Sequence, residues 1–298
     1  MIQNNTKNIK KKCPICLQYC TQIFVERKWE YFIYKCSSCS IEYADPLKTT
    51  SYANDPRIKI GYRRRLELVG SYIGWAHREL LKSNLLNQKT RVLEIGCGTG
   101  DFIHLLKEKG INAIGVDLGV TAIEAGKQYW GDIPIFTISA QDYFKEHNNQ
   151  KFQIVCLFAI LEHLEKPHSI LNEIYRILDK NGYVVIEVPN SKSPLMKIYR
   201  PSTRYIDYPP QHLTRWNKKS ISLFLTLHKF KLIYYATSKP SLSDIIPDIM
   251  KIYAPGFIST KTMIKISAII QILLKPVDYL VNSFIKEGRS LYIIAQKE

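Results

Sequence analysis

The chain lacks any apolar run long enough to cross a membrane. The best candidate, ISAIIQILL at 266–274, is nine residues between Lys265 and Lys275, whereas a helical span needs about 20. The opening MIQNNTKNIKKK carries charge with no apolar core behind it, so no secretory leader is expected. Acidic residues are also scarce: 26 Asp and Glu face 42 Lys and Arg, for a net charge of +16. The shortage is local. Residues 1–90 carry +9, 91–190 carry −4 and 191–298 carry +11. Basic flanks suit phosphorylated substrates, an anionic membrane face or nucleic acid, or merely a solvated surface. At 46% hydrophobic residues the chain can bury a sizeable core. The expected location is cytoplasmic. Seven cysteines there read as metal ligands or free thiols rather than disulfides.

Two common nucleotide-binding signatures are absent as well. In VLEIGCGTGDF (92–102) a G-x-G-x-x-G count fails, because the third glycine position falls on Asp101 from Gly96 and on Ile103 from Gly98. No Gly-Lys-Ser/Thr follows, which excludes a P-loop. What stands there is acidic-x-Gly-x-Gly-x-Gly: Glu94, then Gly96, Gly98 and Gly100. A carboxylate is a poor neighbour for pyrophosphate. It suits a cationic ligand without phosphate, and S-adenosylmethionine, with its sulfonium and ammonium, is one. Asp117 ends the next strand, AIGVD, where a carboxylate can accept hydrogen bonds from both ribose hydroxyls. The plainer alternatives are a Glu94 that tethers backbone N–H groups and an Asp117 that caps a helix.

Around this turn the pattern alternates. Strands are predicted at RVLEI, NAIGVD, IPIFTIS, FQIVCLFAI, YVVIEVPN, KLIYYATS and SLYIIAQK. Helices are predicted at DFIHLLKEKG, at TAIEAGKQYW with Thr121 as cap, at PHSILNEIYRILDKNG stopped by Asn181-Gly182, and at NKKSISLFLTLHKF. FQIVCLFAI hardly alternates, as expected of a buried parallel strand. The alternation predicts an α/β fold with a doubly wound parallel sheet. Residues 57–87 read as helical. Residues 239–288 form an insertion of two short apolar helices broken at Pro276.

Cys13, Cys16, Cys36 and Cys39 are spaced C-x2-C-x19-C-x2-C. Two such knuckles can close a tetrahedral thiolate site for a structural Zn2+, which would stabilise a unit too small for its own core. A redox pair lacks its βαβ context, and Cys20 is left over as incidental. The expected organisation is a zinc-ribbon module at 1–44, a linker and helical lid at 45–89, and a cofactor-binding domain at 90–298.

VLEIGCGTGDF, GVD, LFAILEHLEKP and NGYVVIEVPN together resemble the class I S-adenosylmethionine-dependent methyltransferases, in particular the small-molecule branch with ubiquinone-type O-methyltransferases and glycan-cluster methyltransferases. The resemblance covers roughly 90–238 and the last strand. It implies a seven-stranded Rossmann-like sheet with an antiparallel last strand. It implies a cofactor site with Glu94, Gly96 and Gly98 at the methionine end, Asp117 at the ribose, Ser139, Ala140 and Gln141 at the adenine edge and Phe158 beside the cofactor, and with Cys97, Gly100 and Leu118 among its residues. Gln153 replaces the Asp that often begins the fourth strand, a residue that usually orients backbone. Similar enzymes also carry N-terminal ribbons, some of them sugar C-methyltransferases with Tyr-x-Glu-His. Here that place reads YPPQHL, with Gln211 for the Glu.

Methyl transfer to a hydroxyl needs a base near neutral pKa, and histidine is the default. His212, in DYPPQHLTRW, is the favoured base and His163, in LEHLEKP, a pocket residue; each could instead be structural. Glu162-His163 is half of a metal pair with no matching second half in sequence. His77, His104 and His168 read as surface or capping residues. The expected activity is O-methylation of a small molecule or glycan intermediate, in some readings lipid-linked. The alternatives are an RNA or protein methyltransferase using the ribbon and basic flanks, a sugar C-methyltransferase, and a non-catalytic ribbon module. No Asn/Asp-Pro-Pro-Tyr/Phe motif follows the fourth strand, so nucleic acid is not the expected partner. The 239–288 helices, flanked by Lys261, Lys265, Lys275 and Lys286, are either a lid or a peripheral contact with anionic lipid at the cytoplasmic membrane face. Oligomeric state is not readable.

Overall fold

The computed structural model describes residues 7–49, 72–194, 207–239 and 285–298, with scattered positions at 66, 196 and between 266 and 284. At the N-terminal end β1 (Ile9–Lys12), β2 (Tyr19–Lys28), β3 (Tyr31–Cys36) and β4 (Glu42–Asp45) pair antiparallel in sequence. Helix α1 (Trp75–Lys82) leads into β5 (Arg91–Ile95), α2 (Asp101–Glu108), β6 (Asn112–Asp117), α3 (Val120–Trp130), β7 (Ile135–Thr137), α4 (Ala140–Glu146) and β8 (Phe152–Phe158). A short 3-10 turn, Leu161–His163, precedes α5 (Pro167–Ile177) and β9 (Leu178–Pro189). Then come β10 (Thr214–Arg215), α6 (Lys218–Leu227), β11 (Phe230–Thr237) and β12 (Ser290–Lys297).

Seven strands form one sheet in the order β11-β12-β9-β8-β5-β6-β7. The central pairs are parallel, while β12 runs antiparallel to both β9 and β11. Strands β5 and β8 sit centrally because both their faces are apolar: Val92, Leu93, Val155, Cys156 and Leu157 are fully buried. From β5 the chain builds outward through β6 and β7, then returns to β8 on the other side. The reversal opens a crevice beyond the carboxyl ends of β5 and β8, where doubly wound sheets bind ligands. Gln153 accepts the Arg91 N–H at 2.6 Å and donates to Asp179, so it orients backbone at the amino end of this pair.

Three predicted boundaries are corrected. The helix predicted to stop at Asn181-Gly182 ends at Ile177, because buried Leu178 carries the chain straight into β9 opposite Phe152. Asn181, at φ +63°, lies where the register slips before Tyr183 meets Ile154, so Asn-Gly forms an irregularity inside the strand. Helix α3 starts at Val120 with Gly119 as N-cap; Asp117, not Thr121, reaches its first turn by accepting the Gly119 N–H at 2.6 Å. IPIFTIS shortens to the edge strand β7. Of the helix predicted over 57–87, residues 57–65 and 67–71 lie outside the described residues, and α1 is its regular described part.

The N-terminal sheet takes its fifth strand from beyond residue 44. Thr214 pairs with Tyr43 and Arg215 with Glu42, giving β1-β2-β3-β4-β10. Of the 239–288 insertion, Ile269, Leu273, Leu280 and Phe284 are described and exposed. Lys261, Lys265, Ile272 and Lys275 lie outside the described residues. Among the described residues no helix is long and apolar enough to cross a membrane.

Candidate active site and thiol cluster

The glycine turn leaves β5 under close constraint. Gly96 has φ +77°, and a Cβ there would lie 2.0 Å from Ile160 Cδ1, so the turn presses against the segment entering the 3-10 turn. Gly98, at φ +55°, faces open space: a Cβ there meets nothing within 4 Å. Cys97 is buried between them, and burial, helped by Glu94 and Asp117, pushes its thiol well up. Gly100 is the N-cap of α2.

Glu94 is 2% exposed. Its Oε1 lies 3.2 Å from His77 Nε2, and its Oε2 is buried without a hydrogen-bond partner. His77 Nδ1 accepts the Gly74 N–H at 3.1 Å, so the ring proton sits on Nε2 and is donated to Glu94. The His77 ring packs on Phe102 and on Phe158, at centroid distances of 4.7 and 4.5 Å. His77 does cap α1 as the sequence suggested, but it is also a largely buried partner of Glu94. A lone histidine 17 residues from its carboxylate leaves no signal in sequence.

Asp117 takes the Gly98 N–H at 2.9 Å on Oδ2 and the Gly119 N–H on Oδ1. This is the capping contact of the plainer alternative, and it also locks the glycine turn to the end of β6. A carboxylate has about four lone-pair sites, which leaves capacity for ribose hydroxyls. Ser139 caps α4, accepting the Asp142 N–H at 3.0 Å, with Ala140 and Gln141 opening that helix after β7. Leu118 is exposed and Phe158 is buried. An unpaired buried acceptor for an ammonium, an unobstructed glycine and a carboxylate at the neighbouring strand end fit S-adenosylmethionine.

Across the crevice, two segments are stitched together. Leu213 N–H donates to the Glu162 carbonyl at 2.8 Å, and His163 Nδ1 lies 2.6 Å from the Gln211 carbonyl. A carbonyl only accepts, so Nδ1 carries the proton and Nε2 a lone pair. His212 Nδ1 lies 3.1 Å from Asp207 Oδ1, so this ring too turns Nδ1 toward an oxygen of the protein. The two rings meet edge to face at 4.7 Å. Glu162 is 1% exposed, and burial raises its carboxyl well above the usual range, with Glu187 and Asp207 acting in the same direction. Burial, then His212, pushes His163 down to about 4. Sequence reading isolated Glu162-His163; the partner it could not see is His212, 49 residues on.

The four predicted ligand cysteines converge. Cys13 and Cys39 sulfurs lie 3.9 Å apart, Cys16 and Cys36 sulfurs 3.7 Å, and all four ligand atoms lie within 4.8 Å of one another. Thiolates at about 2.3 Å from a tetrahedral ion are about 3.8 Å apart, so the donors fit a zinc-sized ion. A hydrogen bond from Cys39 brings the Cys13 thiol down to about 5, while burial pushes Cys36 up to about 12. Cys20 is not isolated: its sulfur is 3.3 Å from Cys36, and Gln22 Nε2 contacts it at 3.2 Å.

The ribbon is tied to the larger sheet by polar contacts. Arg215, 4% exposed, reaches Glu26 and Glu42 at 3.3 Å each and donates to the Asp207 carbonyl at 2.9 Å. Asn217, the cap of α6, donates to the Ser40 carbonyl at 2.8 Å. His168 is no surface residue. Its Nε2–H donates to the Pro14 carbonyl at 3.0 Å, and its Nδ1 lies 2.9 Å from His228 Nε2, whose own Nδ1 lies 2.9 Å from Asn172 Oδ1. His104 stacks on Trp130 at 4.2 Å.

A family described as "Methyltransferase domain" matches residues 63–234, more than half of the chain. The chain therefore belongs to this family, the class I S-adenosylmethionine-dependent methyltransferases. It is 28% identical over 123 residues to a ubiquinone biosynthesis O-methyltransferase of Glaesserella parasuis serovar 5 (strain SH0165), covering 37% of this chain and 52% of that relative. The chain thus spans about half the length of the curated relatives it matches. Among solved structures it is similar to an S-adenosylmethionine-dependent methyltransferase from Archaeoglobus fulgidus, with TM-score 0.50, 23% identity, and 78% and 98% of the two chains covered. It is also similar to phosphoethanolamine N-methyltransferase 2 of Haemonchus contortus in complex with S-adenosyl-L-methionine, with TM-score 0.51, 18% identity, and 83% and 58% covered. These likenesses show the fold.

Proposed function

We propose that this chain transfers a methyl group from S-adenosylmethionine to a hydroxyl of a small molecule bound beyond the carboxyl ends of β5 and β8. The observation that carries the reading is Glu94 Oε2, a buried carboxylate oxygen without a partner beside the glycine turn. Bound S-adenosylmethionine supplies an electrophilic methyl on its sulfonium. Glu94 accepts the ammonium, Gly98 lets backbone approach, Asp117 takes the ribose hydroxyls, and Phe158 walls the site. At the acceptor side, Asp207 holds the His212 ring with Nε2 free to take the hydroxyl proton, and His163 lines the same pocket. The similarity to a ubiquinone biosynthesis O-methyltransferase supports oxygen as the acceptor atom. The thiol cluster holds one structural zinc, and the ribbon and its docking segment shape the pocket's far wall. The test is a transfer screen with labelled S-adenosylmethionine over quinone precursors, sugar nucleotides and lipid-linked glycans. Calorimetry showing no S-adenosylmethionine binding would end the reading at its first step.

A lipid-linked acceptor is favoured by one observation: Ile269, Leu273 and Phe284 are 57%, 69% and 84% exposed, in a stretch whose sequence carries Lys261, Lys265, Lys275 and Lys286. Such side chains can enter the headgroup boundary, with each nearby Lys or Arg adding about 1 kcal/mol on anionic lipid. Co-sedimentation with anionic vesicles should weaken with salt and vanish when these three become serine. Equal recovery with neutral vesicles would leave a lid.

A further inference from the structure

We propose that His77 is a positioning residue for the cofactor: it holds Glu94 so that one carboxylate oxygen is presented to the ammonium of S-adenosylmethionine. The inference rests on the reading of Glu94 as the acceptor of that ammonium. Both ring nitrogens are engaged within the protein, so His77 acts through Glu94 and not on the cofactor itself. Nδ1 takes the Gly74 N–H at 3.1 Å, and Nε2 lies 3.2 Å from Glu94 Oε1. The other oxygen, Oε2, is buried without a hydrogen-bond partner. Without His77, neither oxygen would keep a partner among the described residues. A buried carboxylate would then bear the full cost of lost solvation, and its rotatable side chain would have nothing to fix its heading.

The ring itself is held from several sides. His77 is the third residue of α1, and its bond to the N-cap Gly74 ties it to the start of its own helix. A Cβ on Gly74 would lie 3.2 Å from Nδ1, so a side chain there would crowd the contact. The ring packs on Phe102 of α2 and Phe158 of β8. Just ahead of α1, the Tyr72 N–H donates at 2.9 Å to Oδ1 of Asp101, the first residue of α2. Helix α1 and the glycine turn therefore share one frame. The choice of donor also suits the task. In this tautomer the Nε2–H is an uncharged donor, because Nδ1 accepts. A lysine or arginine on Oε1 would satisfy that oxygen equally well, yet it would offset the negative charge that draws an ammonium to Oε2.

Calorimetry on the full chain with two ligands separates this role from a merely structural one. S-adenosylhomocysteine carries the ammonium. 5′-Methylthioadenosine keeps the adenosine and the thioether but lacks the amino-acid end. His77→Asn retains an acceptor for the Gly74 N–H and is too short to reach Glu94. It should weaken S-adenosylhomocysteine about tenfold, the scale of a hydrogen bond to an ionised partner, and leave 5′-methylthioadenosine within about twofold. His77→Gln, whose amide can reach Glu94, should recover most of that loss. In a Glu94→Gln background, His77→Asn should have no further effect on S-adenosylhomocysteine, because the two residues act as one unit. Equal weakening of both ligands, unchanged affinity for both, or a full second loss in the Glu94→Gln background overturns the positioning role. A parent chain that binds the two ligands equally overturns instead the reading of Glu94 as the ammonium's acceptor.

Discussion

The two sheets of this molecule are held together by different means. The seven-stranded sheet buries both faces of its central strands, and residues such as Leu93, Val155 and Ile186 are fully enclosed. The five-stranded sheet is short and half-exposed: Tyr19, Ile23 and Val25 on β2 face solvent. Its enclosed residues gather around four thiols and run on into the apolar cluster of Trp216 and Phe224, and Arg215, Asn217 and His168 add polar links to the rest. Apolar burial needs no single residue, because its contributions are many and small. A ligand cluster with a few buried polar links concentrates stability in a handful of side chains.

That contrast can be broken by removing single groups. The largest effect is expected from Cys36→Ala or chelation, since a structural zinc in small domains contributes about 10–16 kcal/mol. Hydrogen exchange should then show β1 to β4 unprotected and β8 unchanged; equal loss in β8 would mean the sheets share one cooperative core. His212→Ala should lower turnover by about 10²–10⁴ while S-adenosylmethionine affinity holds, a split that single-turnover rates and calorimetry read separately. Arg215→Met removes a buried cation from beside Glu26, Glu42 and Asp207 and should cost about 3–5 kcal/mol in urea unfolding. A cost near zero would make that link dispensable. Asp117→Ala should weaken S-adenosylmethionine by about 1–3 kcal/mol, and unchanged affinity would reduce Asp117 to a cap.

The smallest expected effect is set by pH. Burial, then His168, pushes His228 down to about 4, and burial likewise lowers His168. Both rings are neutral in the folded chain, whereas an unfolded histidine titrates near 6.5. Their contact is therefore intact above pH 6.5 and loses ground as pH falls from there toward 4, where the unfolded chain binds more protons. Ribbon protection should fall over that window before the larger sheet's does. Identical pH profiles for the two sheets would remove the histidine pair from the docking.

The same contrast explains what the sequence disclosed. Unbroken apolar runs such as FQIVCLF announce buried parallel strands, and the glycine turn and cysteine spacings are local patterns, so the central strands, the thiol cluster and the turn after β5 were legible. Strand β10 was not, because two residues, Thr214 and Arg215, have no periodicity to read. His77 and His163 take their places from long-range partners, Glu94 and the Gln211 carbonyl, and no spacing rule links such pairs. Asn181-Gly182 misled because a turn dipeptide looks alike at a helix end and at a strand irregularity.

Strand β10 also orders events during synthesis. The ribosome delivers β1 to β4 first, yet the strand that completes their sheet emerges only with Thr214, about 170 residues after Asp45. A growing chain folds its N-terminal parts as they appear, so the nascent ribbon waits with its β4 edge uncovered while β5 to β9 are made. Asp207, His212 and Arg215 also arrive late and together, on one short stretch of chain.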